Sequence, residues 1–229
     1  MESITKPMPP ESFNIHVCLA CGLRYPLIEG HSFGMRCPQC LGETQVILKK
    51  QINSAGILQK RKKPALRRVE RMKENNVKAV LLDNIRSAWN VGSILRSADG
   101  FGFTHAYLCG ITPTPEVDAV RKTALGAEEF VTWSHHQDAV KLVKGLQNEG
   151  WKILALEDDE QASAISQFTY TQLPNPVALI VGSEVTGIDP DLLTLADEII
   201  YIPMRGEKRS FNVANAFSIA AYALVEQNR

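Results

Sequence analysis

Four cysteines stand in two matched pairs, Cys18-x2-Cys21 and Cys37-x2-Cys40. Each pair sets two thiolates on one side of a tight turn, and two such turns complete a tetrahedron of sulfur around a structural zinc ion. Gly22 and Gly42, just beyond the pairs, suit the positive backbone angles that such turns need. Two disulfides or four ordinary thiols are the competing readings; a reducing compartment disfavours the first, and the matched spacing disfavours the second. Four protein ligands leave the ion no open position for catalysis. His16 and His31 are possible substitute ligands that four cysteines make unnecessary. Cys109 ends the apolar run Ala106-Tyr107-Leu108 and reads as a buried strand residue.

A second kind of chemistry is offered by three polar blocks set in apolar surroundings. They are Asn84 to Asp99, Val181-Gly182-Ser183-Glu184-Val185-Thr186-Gly187, and Ile202-Pro203-Met204 followed by Ser210-Phe211-Asn212-Val213-Ala214-Asn215-Ala216. Each reads as a strand running into a polar turn and then a helix, which is where an α/β sheet keeps its ligand sites. Together they point to one composite active site. Gly182-x4-Gly187 begins like a phosphate-gripping loop, but Ile188-Asp189 stands where lysine and a hydroxyl residue must hold phosphate and magnesium, which excludes an NTPase. Asp83-Asn84-Ile85-Arg86 follows the first strand, so the dinucleotide fingerprint is absent too.

Those blocks need a rigid frame, and the pattern from Val77 onward supplies one. Strand-like runs fall at Ala79–Leu82, Thr104–Cys109, Phe130–Trp133, Lys152–Leu156, Val177–Val181 and Glu198–Ile202. Helix-like segments lie between and after them, near 90–99, 116–124, 136–149, 190–196 and 212–226. Strands apolar on both faces and alternating with helices predict an α/β fold, a parallel sheet covered on both sides. The chain of 229 residues is thereby divided into a small zinc ribbon at 1–48, a basic connector at 49–76 and a larger domain at 77–229. At 45% hydrophobic and 22% charged residues, it is too apolar for disorder.

Net charge is zero, but its distribution is uneven. Between Lys49 and Lys73 ten lysines and arginines are opposed only by Glu70, a footprint suited to a polyanion. Met1 to Asn14 lacks a secretory signal, and the uncharged stretch Ser210 to Val225 is too short and too interrupted to span a bilayer. A cytoplasmic protein with no membrane association is expected.

The blocks, together with Lys122-Thr123-Ala124-Leu125-Gly126-Ala127, resemble the SpoU or TrmH-type RNA ribose 2′-O-methyltransferases of the SPOUT superfamily. The likeness runs from about Val77 to Glu226 and keeps the family's order and spacing. Phe211 in place of the more usual leucine, and Val185-Thr186 in place of a glycine-containing pair, are its departures. The resemblance implies a C-terminal trefoil knot, S-adenosylmethionine held by backbone groups around Leu156, Gly182, Ile202 and Phe211, and a homodimer that completes the site. It also implies tRNA or rRNA as substrate and a catalytic role for Arg96.

Such a reaction needs a hydroxyl delivered in line with an electrophilic methyl group, so positioning dominates. Guanidinium stays protonated, so Arg96 reads as an anchor for the target phosphate and a neutraliser of charge on the ribose oxygen. Asn90 orders the first turn and caps the following helix. Glu184 fixes either Arg96 or a loop amide. Ser210 and Asn212 open the last helix, where donors meet cofactor or RNA. Arg121 and Lys122 reach toward the RNA backbone, while Trp89 reads as packing in preference to base stacking. Alternative functions are a non-catalytic zinc-ribbon RNA-binding or assembly factor, and an RNA base methyltransferase.

Overall fold

Backbone hydrogen bonds inside the two cysteine turns shape the N-terminal unit. The Cys18 carbonyl accepts from the Gly22 N–H at 3.0 Å, and the Cys37 carbonyl from the Leu41 N–H at 2.9 Å. The computed structural model describes residues 12–28, 36–51, 77–167, 176–208 and 210–226, in two units, Met1–Lys63 and Pro64–Arg229. His31 and the basic run from Lys60 to Lys73 lie outside the described residues.

In the first unit Ser12–Cys18 (β1) pairs antiparallel with Arg24–Ile28 (β2) and with Thr44–Gln51 (β3). All four Sγ atoms lie within 4.8 Å of one another, with Cys18 and Cys40 at 3.4 Å and Cys21 and Cys37 at 3.7 Å. Zinc held tetrahedrally by sulfur at about 2.3 Å needs edges of about 3.8 Å, so the donor set fits that ion. No disulfide forms among them. His16 is buried, hydrogen-bonded to Thr44 Oγ1 at 3.2 Å and stacked on Tyr25, which makes it part of the packing.

The second turn departs from the expected glycine geometry. Gly22 has φ 76°, but its counterpart with positive φ is Leu41, at 60°. Gly42 is needed for space instead: a Cβ there would sit 2.9 Å from Ala20 Cβ and 3.2 Å from Cys40 Sγ.

The second unit alternates strand and helix. In chain order these are Lys78–Asp83 (β4), Ala88–Phe101 (α1), His105–Cys109 (β5), Asp118–Ala124 (α2), Thr132–His136 (β6), Ala139–Asn148 (α3), Lys152–Leu156 (β7), Ser163–Ala164 (β8), Val177–Val181 (β9), Pro190–Leu195 (α4), Glu198–Tyr201 (β10) and Val213–Glu226 (α5). The seven strands form one parallel sheet in the order β6-β5-β4-β9-β7-β10-β8.

Successive side chains point to opposite faces of a strand, and the core divides accordingly. Val80, Leu82, Leu154 and Leu179 pack with Ile94, Leu95 and Phe217 from α1 and α5. Ala79, Leu81, Ile153 and Ile180 pack with Val143 and Leu192 from α3 and α4. Both faces are covered, which is why the strand sequences are continuously apolar. Burial also pushes the Cys109 thiol up to about 12, in keeping with a strand residue in the core. Close approach of α1 and α2 depends on Gly92, where a Cβ would run into Thr123 Oγ1 and the Val120 carbonyl.

Three local expectations shift. A 3-10 turn at Ala127–Glu129 consumes the residues before β6, which therefore starts at Thr132 and leaves Phe130 exposed. Asp138 caps α3 by accepting from the Lys141 N–H at 2.9 Å, delaying that helix to Ala139. The strand β8 carries no apolar signal; it is two residues aligned beside β10. Among the described residues no helix is long and apolar enough to cross a membrane.

Metal removal tests the division of labour between sulfur and apolar burial. Since structural zinc contributes about 10–16 kcal/mol to domains of this kind, a strong chelator is expected to collapse the amide resonances of β1–β3 and to spare those of β4 and β9. Zinc-free protein retaining a dispersed ribbon spectrum would count against a metal-dependent fold.

Candidate active site

The carboxyl ends of β4, β7, β9 and β10 open on one side of the sheet, each continuing into a polar loop. The loop after β9 closes on itself, with Ser183 N–H donating to the Gly187 carbonyl at 3.0 Å and the reverse bond at 2.9 Å. Closure explains Gly182: a Cβ there would strike the backbone of Gly187 and Ile188. The glycine is thus demanded by the loop itself. Glu157, directly after β7, accepts from the Ile188 N–H at 2.9 Å and anchors the far side of the loop.

At the loop tip, Glu184 receives the Arg86 N–H at 3.0 Å, the Ser87 N–H at 3.3 Å and Asn90 Nδ2 at 2.7 Å. Of the two partners expected for it, the loop amide is the one realised. Asn90 Oδ1 in turn accepts from Asn212 Nδ2 at 3.1 Å, and Asn212 Oδ1 accepts from the Ala214 N–H at 3.0 Å. A single hydrogen-bonded chain thereby joins all three polar blocks. Burial alone would raise the Glu184 carboxyl, but the Arg86 N–H, the Asn90 side chain and further backbone donors outweigh it and hold the group below the ordinary carboxylate range.

Asn90 does not cap α1. That place belongs to Ser87, whose hydroxyl accepts from the Asn90 N–H, leaving the Asn90 side chain to bridge Glu184 and Asn212. Asn212, by contrast, does close the start of α5. Trp89 is 63% exposed in the first turn of α1, so it is not the core residue expected.

Leu156, Gly182, Ile202 and Phe211 all line one cavity of about 480 Å³, and Glu184, Ser210 and Asn212 share its wall. Glu157, Asp158 and Tyr201 belong to the same wall and were missed by sequence reasoning. Their signal was position alone, as polar or half-buried residues where β7 and β10 end.

Arg96 is elsewhere. It projects from the exposed side of α1 into a separate hollow of about 390 Å³ with Lys122, Thr123, Asn215 and Ser218. Among the described residues it makes no ion pair with Glu184 or Asp99. Arg121 turns back on its own helix start, bonding to the Pro115 and Glu116 carbonyls and to Asp118, so of the two basic neighbours only Lys122 joins Arg96. Between cavity and hollow lies the start of α5, which gives Val213 and Ala216 to one and Ala214, Asn215 and, in its second turn, Ser218 to the other.

Comparison with known proteins agrees with this geometry. Residues 78–222 match the model of the SpoU rRNA Methylase family. A tRNA (guanosine(18)-2′-O)-methyltransferase from Thermus thermophilus is 33% identical over 150 residues, 66% of this chain and 73% of that protein. Among solved structures, a putative RNA methyltransferase of the TrmH family from Porphyromonas gingivalis superposes with a TM-score of 0.61 at 26% identity, covering 66% of this chain and 60% of that one. The SpoU methyltransferase AviRb from Streptomyces viridochromogenes, in complex with AdoMet, shares the fold with a TM-score of 0.60 at 24% identity, over 66% of this chain and 60% of its own. The chain thus spans less than two-thirds of the length of those two structures.

Protonating Glu184 removes an acceptor of three hydrogen bonds. A carboxyl held low in the folded state stabilises fully above its unfolded value, about pH 4.3, and loses that contribution as the pH falls through the folded value. Glu184→Gln is therefore expected to melt below wild type at neutral pH, with the gap closing as the pH falls below the ordinary carboxylate range. Thermal unfolding of both proteins across that range is the check, and a gap independent of pH would contradict the assignment.

Proposed function

The chain belongs to the SpoU rRNA Methylase family, and on that footing we propose that it transfers a methyl group from S-adenosylmethionine to a ribose 2′-hydroxyl of tRNA or rRNA. The observation that carries this reading is the convergence of Leu156, Gly182, Ile202 and Phe211 on a single cavity beside the Glu184–Asn90–Asn212 chain. Leu156, Ile202 and Phe211 offer apolar surface for an adenosine ring, and the carboxylates of Glu157 and Asp158 in the same wall suit a cationic ligand. When bound there, S-adenosylmethionine supplies a methyl group already made electrophilic by its sulfonium.

What the protein adds is placement. Holding a hydroxyl at attack distance is worth about 7–11 kcal/mol, more than any one side chain provides. Glu184 and Asn90 fix the entry of α1 against the cavity wall, and Ser210 and Asn212 present donors at its rim. Arg96, with Lys122 beside it, binds the target phosphate and neutralises charge growing on the ribose oxygen, while phosphate or water takes the proton.

Because Arg96 and the cavity open from different sides of α5, one chain alone does not bring them together. The reading is therefore a homodimer in which Arg96 of one protomer completes the cavity of its partner. It carries with it the division into ribbon, basic connector and methyltransferase domain (77–229), with the last ribbon strand running to Gln51 and so past the expected boundary at 48, the C-terminal knot, and a cytoplasmic location suited to free thiols.

Transfer of labelled methyl groups from S-adenosylmethionine to total RNA tests the activity. Resistance of the labelled linkage to alkali identifies the ribose oxygen, whereas label at an alkali-sensitive linkage would mark a base. Arg96→Ala is expected to lower turnover about a hundredfold or more. Co-expressing Arg96→Ala with Glu184→Ala should restore turnover that neither variant shows alone; failure to complement would sink the shared site.

A further inference from the structure

The zinc ribbon has an open apolar face. Cross-strand partners share a face of a sheet, so Phe13, Ile15 and Val17 of β1 lie beside Ile28, Pro26 and Arg24 of β2. On the other flank Phe13 pairs with Lys50 and Ile15 with Leu48 of β3. On the opposite face His16 is buried between Thr44 and Tyr25, while its cross-strand partner Val46 is exposed. Along β2 the residues of the open face, Arg24, Pro26 and Ile28, are exposed, while Tyr25 and Leu27 are half-buried. Ile28 is 45% exposed and Leu48 49%.

We infer that this face is a binding site for unpaired RNA nucleotides, separate from the methyl-transfer cavity. An apolar sheet surface left in water invites a partner. Its charges choose which: Arg24 and Lys50 stand at diagonal corners, and none of the cross-strand partners described on this face is acidic. From four residues of strand rise and two strand spacings the corners are roughly 16 Å apart, the span of a few nucleotides. Bases splayed from a single strand present apolar faces to such a platform, here centred on the row Pro26–Ile15–Leu48 with Phe13 beside it, and their phosphates meet the corner cations. A duplex keeps its bases stacked inside and offers the apolar strip nothing.

The inference rests on RNA being the substrate, but it is tested apart from the chemistry. The full-length protein is titrated with a short unstructured RNA oligonucleotide and with a hairpin of equal length, and methyl transfer to total RNA is followed in the same preparations. Arg24→Ala/Lys50→Ala is expected to weaken binding of the unstructured oligonucleotide and to reduce the salt slope by about 1.4, because two single-strand phosphates are no longer neutralised. Ile28→Ser/Leu48→Ser should weaken it at least about fivefold with the slope unchanged, since only stacking is removed. Hairpin affinity and zinc content should stay at wild-type values in both.

Undiminished binding of the unstructured oligonucleotide by both variants overturns the inference, even if methyl transfer proceeds normally. Loss of affinity with no methyl transfer by the wild type sinks the enzymatic reading and leaves this one standing. A change of oligomeric state in Ile28→Ser/Leu48→Ser, with RNA affinity intact, would give the face to a second copy of the chain and would likewise overturn it.

Discussion

One carboxylate sets the direction of a hydrogen-bond chain on which the arrangement of the cavity depends. Glu184 can only accept, so the Asn90 amide must turn its Nδ2 toward it and its Oδ1 away. That leaves Asn90 an acceptor for Asn212, whose own Oδ1 is then free to receive the Ala214 N–H in the first turn of α5. Polarity is dictated link by link, from an acceptor at one end to an N–H at the other. The same carboxylate sits at the entrance of α1, where unsatisfied N–H groups and the helix dipole both favour negative charge. Three loops distant in sequence are thus held in one register by groups that have no alternative orientation.

Rigidity around the cavity comes from a second device, close backbone packing. Gly182 permits the Ser183–Gly187 loop to close, Glu157 pins it to the end of β7, and Gly92 lets α1 settle on α2. Below the neighbouring loop, Asp83 is buried and accepts from Asp189 N–H at 3.0 Å and Asn84 Nδ2 at 2.8 Å. Burial there pushes its carboxyl up, against the pull of those bonds. The two units of the chain rely on different forces: the larger on apolar side chains packed against both sheet faces, the ribbon on four sulfurs gathered at one end.

How much of this was legible depended on whether a feature is encoded locally. The strands at Lys152–Leu156 and Val177–Val181 appear with the expected bounds because continuous apolar runs leave no other reading. The four cavity residues were legible through their motifs, and the cysteines through their spacing. Arg96 was harder. It shares a motif with Asn90, but six residues on a helix is about 600° of rotation, so the two side chains leave α1 on different sides. Adjacency in a motif concealed divergence in space. Trp89 misled for a similar reason: it lies on the outer side of the first turn of α1, whose inner side gives Val91 to the core. The turn at Ala127–Glu129 and the strand β8 carry no periodic signal and follow from tertiary pairing alone.

The position of β9 has a bearing on how the molecule is made. β4 can pair with β5, and β5 with β6, as soon as each leaves the ribosome, because these neighbours are consecutive in the chain. The other edge of β4 waits for β9, which is synthesised roughly a hundred residues later, about 5–20 s at ordinary translation speeds. Throughout that interval a strand with the apolar centre Ala79-Val80-Leu81-Leu82 presents an unpaired edge. Nascent chains of this fold therefore pass through a half-built sheet whose sticky margin must be shielded, by chaperones or by the growing chain itself, until its missing neighbour arrives and slots in beside it.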